Sequence, residues 1–171
     1  ARARGLASAC LVRRSTGGGV VFHDGDLTFS LVFPRKRLSS PSLIYKNIHR
    51  GVHFGLKAAD IDSRLWSPKS SAPSSLEKAC FSGMPEPMDV VREDGEKILG
   101  GALRRRNNVG LYQGSLRPDV LVAAIPVLRR CIFDGLVREF GAIRLELHPQ
   151  WLALGHRLAE KYGSQRWNGR R

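Results

Sequence analysis

The chain has 171 residues, 42% apolar and 25% charged, which is one domain's worth of sequence with apolar content for a sizeable core. Lysine and arginine number 28 against 15 acidic residues, a formal charge of +13, yet the basic residues lie in short scattered runs: Arg35-Lys36-Arg37, Arg104-Arg105-Arg106, Arg129-Arg130 and Arg170-Arg171. No nucleic-acid motif accompanies these runs, so no nucleic-acid partner is expected, whereas an acidic protein partner gains from such a field through faster encounter. The longest apolar stretch, Val120 to Leu128, is far short of the roughly 18–20 residues that cross a bilayer and contains Pro126, so no membrane partner is expected either. Cys10, Cys80 and Cys131 are odd in number and lack metal-ligand spacing, which reads as free thiols in a reducing cytoplasm with no metal site.

In chain order, residues 8–13, 19–23 and 26–33 read as strands, with Asp24-Gly25-Asp26 as a tight connection. Residues 41–57 read as a helix, because Ile44, Ile48 and Val52 recur on one face, with Ser39 or Ser40 as cap and Pro41 in the first turn. Residues 66–78 form a Ser/Pro-rich loop. Strands are expected at 88–92 and 96–105 around a turn at Asp94-Gly95, and a further one at 108–116. Residues 119–140 read as helix with a possible break at Pro126; Leu128, Cys131, Ile132, Leu136 and Phe140 make its apolar stripe. A short strand at 142–147 and a helix at 149–162, with Leu152, Gly155, Leu158 and Tyr162 on one side, complete the pattern. No internal repeat and no boundary between two domains is visible, so residues 1–171 read as a single domain.

The stretch with most chemical content is Arg13-Arg14-Ser15-Thr16-Gly17-Gly18-Gly19-Val20-Val21-Phe22-His23-Asp24. Consecutive glycines let backbone N–H groups approach a ligand, and neighbouring arginines suit a carboxylate or phosphate. An anion or a polarised carbonyl is the ligand this run fits, although a Gly-rich turn with solvated arginines is the plain alternative. The run is neither a P-loop, since no Gly-Lys-Ser/Thr follows, nor a dinucleotide fingerprint.

The same run, followed by a polar turn and Asp26-Leu27-Thr28-Phe29-Ser30-Leu31, resembles the signature of the biotin/lipoate protein ligase catalytic-domain family. Downstream, Gly95-Glu96-Lys97-Ile98-Leu99-Gly100-Gly101-Ala102 is similar to that family's second motif, whose lysine contacts the acyl carbonyl. The resemblance covers nearly the whole chain. It implies an α+β fold, a mixed sheet packed against helices, of the class II synthetase-like kind. Members carry further strands and a helix ahead of the glycine loop, so the resemblance also implies an N-terminally incomplete chain or one half of a split protein.

Within the family, Ala79-Cys80-Phe81 ahead of the lysine motif resembles a cysteine-dependent octanoyltransferase group rather than the ATP-using lipoate ligases. The resemblance thus implies acyl transfer from octanoyl-acyl carrier protein to a lysine of a lipoyl domain or glycine-cleavage H-type protein, with Cys80 and Lys97 catalytic and no cofactor. Arg14, Ser15, Thr16, Gly17, Gly18, Gly19, His23, Gly100 and Gly101 would bind substrate. A ligase would instead use ATP and Mg, and a non-catalytic lipoyl-binding module is the remaining alternative. On the residues alone, Cys80 is equally a small strand-start residue, Lys97 a solvated lysine after a turn, and His23 a strand-end histidine bonded to backbone. Cys131, on a helical apolar stripe, reads as core. Leu103 and Tyr112-Gln113-Gly114-Ser115 depart from the family pattern near the expected acyl pocket.

Overall fold

Leu27, Phe29, Leu31 and Phe33 alternate with Thr28, Ser30, Val32 and Pro34, and this period of two builds β1 (Leu27–Pro34), half-buried on one side and exposed on the other. The structure is a computed structural model that describes residues 12–17, 20–34, 40–67, 85–141 and 149–169. The chain divides into a larger unit, residues 16–143, and a smaller one made from residues 1–15 and 144–171.

In the larger unit β1 is followed by β2 (Arg64–Leu65), β3 (Val90–Val91), β4 (Lys97–Arg106) and β5 (Val109–Leu116). They form one sheet in the order β1-β5-β4-β3-β2, and every pairing among the described residues is antiparallel. Helices α1 (Pro41–Ala58), α2 (Pro118–Leu121) and α3 (Ile125–Phe140) accompany it, which gives the α+β fold expected from the sequence. Helix α1 starts where its sequence says it should: the Ser40 hydroxyl accepts from the Leu43 N–H at 3.2 Å and Pro41 sits in the first turn. Its stripe of Ile44, Ile48, Val52 and Leu56 is fully buried, and it meets Leu99, Tyr112 and Leu116 of the sheet and Leu128, Ile132 and Leu136 of α3 in one core.

The α1–α3 crossing is made by backbone against backbone. A Cβ on Gly55 would lie 1.8 Å from the Cys131 carbonyl oxygen, and one on Gly135 would lie 2.0 Å from that of Gly51. No side chain fits at Gly55 or Gly135, and a Cβ on Gly51 would press on the Gly135 carbonyl at 3.0 Å, so these glycines set how close the helices come. Arg50 closes the crossing with two hydrogen bonds to Glu139, 2.9 and 2.5 Å.

Three expectations need adjusting. Residues 20–23 form no strand: Val20 and Phe22 are exposed, and apolar character without a ladder partner is not enough. Residues 12 and 13 are likewise irregular, while 8–11 lie outside the described residues. The long helix breaks before Pro126 rather than at it: Val122 turns left-handed at φ +51, and Pro126 falls in the first turn of α3, where its missing N–H costs nothing. The strand expected at 142–147 and most of the 66–78 loop lie outside the described residues.

The smaller unit holds α4 (Pro149–Gly163) and α5 (Gln165–Asn168). Leu158 and Tyr162 of the expected stripe are half-buried, whereas Leu152 is exposed. Tyr162 meets Trp167 edge-on at 4.8 Å, the Trp167 indole N–H donates to the Arg13 carbonyl at 2.9 Å, and the Arg13 N–H donates to the Asn168 side chain at 2.7 Å.

Candidate functional site

Lys97 opens β4 immediately after the turn at Glu93–Gly95. A lysine in that place would ordinarily point to water, but its side chain is only 11% exposed and its ammonium lies 2.8 Å from Asp89 Oδ2. The ladder explains how it is turned inward. Val90 pairs with Leu99 and Val91 with Lys97, so Ile98 is an extra residue on β4 and the alternation of faces slips by one. Lys97 is thereby set on the side of Val91 and Asp89.

Asp89 is held firmly. Its Oδ2 accepts from the Glu86 N–H at 2.8 Å, its own N–H donates to the Glu86 carbonyl at 2.9 Å, and its carbonyl accepts from the Trp66 N–H at 2.7 Å. Behind it lies His49 of α1, 1% exposed, with Nδ1 4.0 Å from Asp89 Oδ1. Nδ1 is 2.8 Å from the Met88 carbonyl, which can only accept, so Nδ1 carries the proton and Nε2 accepts from the Tyr112 hydroxyl at 2.7 Å. Burial pushes the His49 pKa down to about 4, against the opposing pull of Asp89, so the imidazole is neutral at physiological pH.

Tyr112 also explains Gly101. A Cβ there would lie 2.1 Å from the Tyr112 hydroxyl, and the Tyr45 hydroxyl donates to the Gly101 carbonyl at 3.3 Å. Gly101, Leu103 and Tyr112 therefore share the α1 side of the sheet, while Gly100 and its cross-strand partner Ser115 share the other.

That other face collects the glycine-loop residues. The Thr16 hydroxyl, buried, donates to Gln113 Oε1 at 2.9 Å. The Ser115 hydroxyl donates to Asp26, and His23 donates through Nδ1 to the same carboxylate oxygen at 2.7 Å. The ring of His23 is exposed while Asp26 is 8% exposed, so a buried acceptor fixes the orientation of an open imidazole. Gly17 is exposed next to Thr16.

The residues singled out in the sequence thus fall into groups. Thr16 and His23 are anchored to the sheet face that carries Gly100, and Lys97 is anchored beside Asp89. Arg14 and Ser15 are half-buried and belong to the smaller unit, where the adjoining Arg13 backbone is tied to α5. Cys80, Gly18 and Gly19 lie outside the described residues, as does Cys10. Cys131 is buried on the α3 stripe, as expected of a core thiol. Sequence reasoning missed Asp89, His49 and the anchoring role of Asp26. The available signals were a lone carboxylate heading an apolar strand in Met88-Asp89-Val90-Val91, and a histidine beside the buried stripe of α1.

Among the described residues no cluster of His, Cys, Asp and Glu has the makings of a metal site, and no helix is long and apolar enough to cross a membrane.

The sequence profile of the lipoyl protein ligase A/B catalytic domain matches residues 7–126. The chain is similar to the octanoyltransferase LipM of Staphylococcus aureus, 35% identical over an alignment of 120 positions, with coverage of 64% of this chain and 42% of that protein. Among solved structures it is similar to a lipoate-protein ligase A bound with ATP, with a TM-score of 0.72, 20% identity and coverage of 95% of this chain and 72% of that one. It is also similar to a bi-partite lipoate protein ligase from Thermoplasma acidophilum, solved with its E2 lipoyl domain, with a TM-score of 0.70, 22% identity and coverage of 92% and 69%. At these identities the structural likeness establishes the fold. The chain spans between 41% and 50% of the length of curated relatives it matches.

Proposed function

The chain belongs to the lipoyl protein ligase A/B catalytic-domain family, and from that premise we propose that it is an octanoyltransferase of protein lipoylation. The observation that carries the reading is the order Ala79-Cys80-Phe81 then Gly95-Glu96-Lys97 in a chain 35% identical to a protein named octanoyltransferase. The donor is octanoyl-acyl carrier protein and the acceptor a lysine of a lipoyl domain or H-type protein, both met in the cytoplasm, within one catalytic domain.

The Cys80 thiolate attacks the donor thioester carbonyl; a new carbon–sulfur bond forms, the bond to the carrier thiol breaks, and that thiolate leaves and takes up a proton. The acceptor amine then attacks the Cys80 thioester, an amide forms, the Cys80 sulfur leaves with the bonding pair, and the amine gives up a proton. Lys97 serves as the fixed cation near the reacting thiol and as a station for these protons. In this reading the substrate-binding role falls to Arg14, Ser15, Thr16, Gly17, Gly18, Gly19, His23, Gly100 and Gly101, as the family motifs assign it. A glycine-loop N–H, or one from Gly100 or Gly101, would stabilise the oxyanion. The thioester is already activated, so neither ATP nor metal is consumed.

The test is intact mass after mixing the protein with octanoyl-acyl carrier protein without ATP, beside Cys80→Ala. The expected result is a gain of one octanoyl group on the wild type alone, reversed by hydroxylamine. No adduct on either protein overturns the Cys80 mechanism; acylation of a lipoyl domain only with ATP, Mg and free lipoate would make the chain a ligase or one subunit of a split ligase. Binding of lipoate without turnover would make it a lipoyl-binding module.

A further inference from the structure

Met88 holds a left-handed backbone at φ +74, a conformation a non-glycine residue rarely keeps unless its surroundings impose it. Here they do. The Met88 N–H donates to the Trp66 carbonyl at 2.9 Å and the Met88 carbonyl accepts from His49 Nδ1 at 2.8 Å. The next residue, Asp89, is bound through its N–H, its carbonyl and its carboxylate. The strained residue therefore sits in a turn pinned from β2's flank, from α1 and from Glu86. What this turn presents is one carboxylate oxygen, shared between the Glu86 N–H and the Lys97 ammonium.

We propose that Asp89 is a positioning residue for Lys97, and that His49, through the Met88 carbonyl, fixes the turn that aims Asp89. The inference rests on the reading that Lys97 serves acyl transfer, and it adds the device that sets where the ammonium stands. A lysine side chain on its own has four rotatable bonds and wanders; a nearly buried one must be paired. A carboxylate that is itself immobile converts it into a fixed charge, which is what a group acting on a reacting thiol needs. His49 contributes as a rigid neutral spacer: its Nε2 is engaged by Tyr112 and its ring lies edge-on to Tyr112 and Tyr45, so its Nδ1–H has one direction.

The experiment compares wild type with Asp89→Asn, Asp89→Glu and His49→Gln by two readouts. The first is competitive acetylation of folded protein with limiting acetic anhydride, followed by peptide mass mapping, with exposed Lys46, Lys57 and Lys161 as internal references. The second is octanoyl transfer to a lipoyl domain, resolved into kcat and KM and corrected for the folded fraction. Asp89→Asn is expected to raise Lys97 labelling at least fivefold relative to the reference lysines and to lower kcat tenfold or more at little-changed KM. Asp89→Glu should recover part of both, and His49→Gln should move both in the same direction by two- to fivefold. Should Asp89→Asn fail to fold, the Asp89→Glu and His49→Gln pair carries the same comparison. Unchanged Lys97 labelling in the folded variants, or a kcat loss that vanishes once the folded fraction is counted, would overturn the proposal. If wild type transfers no octanoyl group, the functional reading fails, and the labelling ratios still decide whether Asp89 holds Lys97.

Discussion

On the side of the β4–β5 ladder that faces α1, Leu99, Leu103, Tyr112 and Leu116 meet apolar helix residues, and polar links there run from Tyr112 to His49 and from Tyr45 to the Gly101 carbonyl. On the opposite side the same two strands offer Gly100, Gln113 and Ser115, and the side chains of Gln113 and Ser115 bind Thr16 and Asp26. One strand pair thus carries packing on one face and placement on the other. The lesson is that core packing and the anchoring of the glycine-loop residues are written on alternate residues, so under the proposed function neighbouring substitutions should have opposite signatures.

The sharpest way to break the comparison is on the packing side. Gly55→Ala drives a Cβ into the Cys131 carbonyl and forces α1 from α3, with an expected loss on the order of 3 kcal/mol in urea unfolding. Next is pH. The unfolded histidine titrates near 6.5 whereas His49, faced by Asp89, Lys97, the Met88 carbonyl and the Tyr112 hydroxyl, titrates near 4. Below pH 6.5 the unfolded state therefore binds a proton that the folded state refuses. Stability is full above that pH and falls as pH drops towards 4, by on the order of 3 kcal/mol. His49→Gln should flatten this segment of the stability–pH curve; an equally steep curve in that variant would assign the effect elsewhere.

Tyr112→Phe leaves the buried His49 Nε2 without its donor and should cost about 1–3 kcal/mol in thermal unfolding. Smallest in stability are Thr16→Val and Ser115→Ala on the placement side. Each should cost about 1 kcal/mol or less, yet slow the proposed octanoyl transfer several-fold, because they unfasten residues proposed to bind substrate. A stability loss as large as that of Gly55→Ala from either would erase the distinction between the faces.

Much of the packing face was legible in the sequence. The spacing of Ile44, Ile48 and Val52 marked α1 and its buried side, Ser40 and Pro41 marked its start, and the stripe through Leu128 and Cys131 marked α3. These follow from local periods that a reader can count. The candidate site was half legible: Thr16 and His23 on the placement face and Lys97 beside Asp89 stood out by motif, but their holders did not. Gln113 lies 97 residues from Thr16, and Ser115 lies 89 from Asp26. Hydrogen bonds across such separations leave no local pattern. The inward turn of Lys97 was hidden for a different reason, since one extra residue at Ile98 reverses the face and no propensity announces it. Val20 and Phe22 misled because a strand is defined by its neighbour as much as by its own residues.

The hydrogen bond from the Glu86 N–H to Asp89 has a kinetic meaning. Glu86 follows Cys80 by six residues, and six links of at most about 3.6 Å tether the thiol-bearing residue within about 22 Å of the point where the chain is fastened to the carboxylate that grips Lys97. Thiol and ammonium are therefore two ends of one short leash. If the proposed acyl transfer brings them together, this tether gives the pair a local concentration on the order of millimolar, whatever the dilution of the protein.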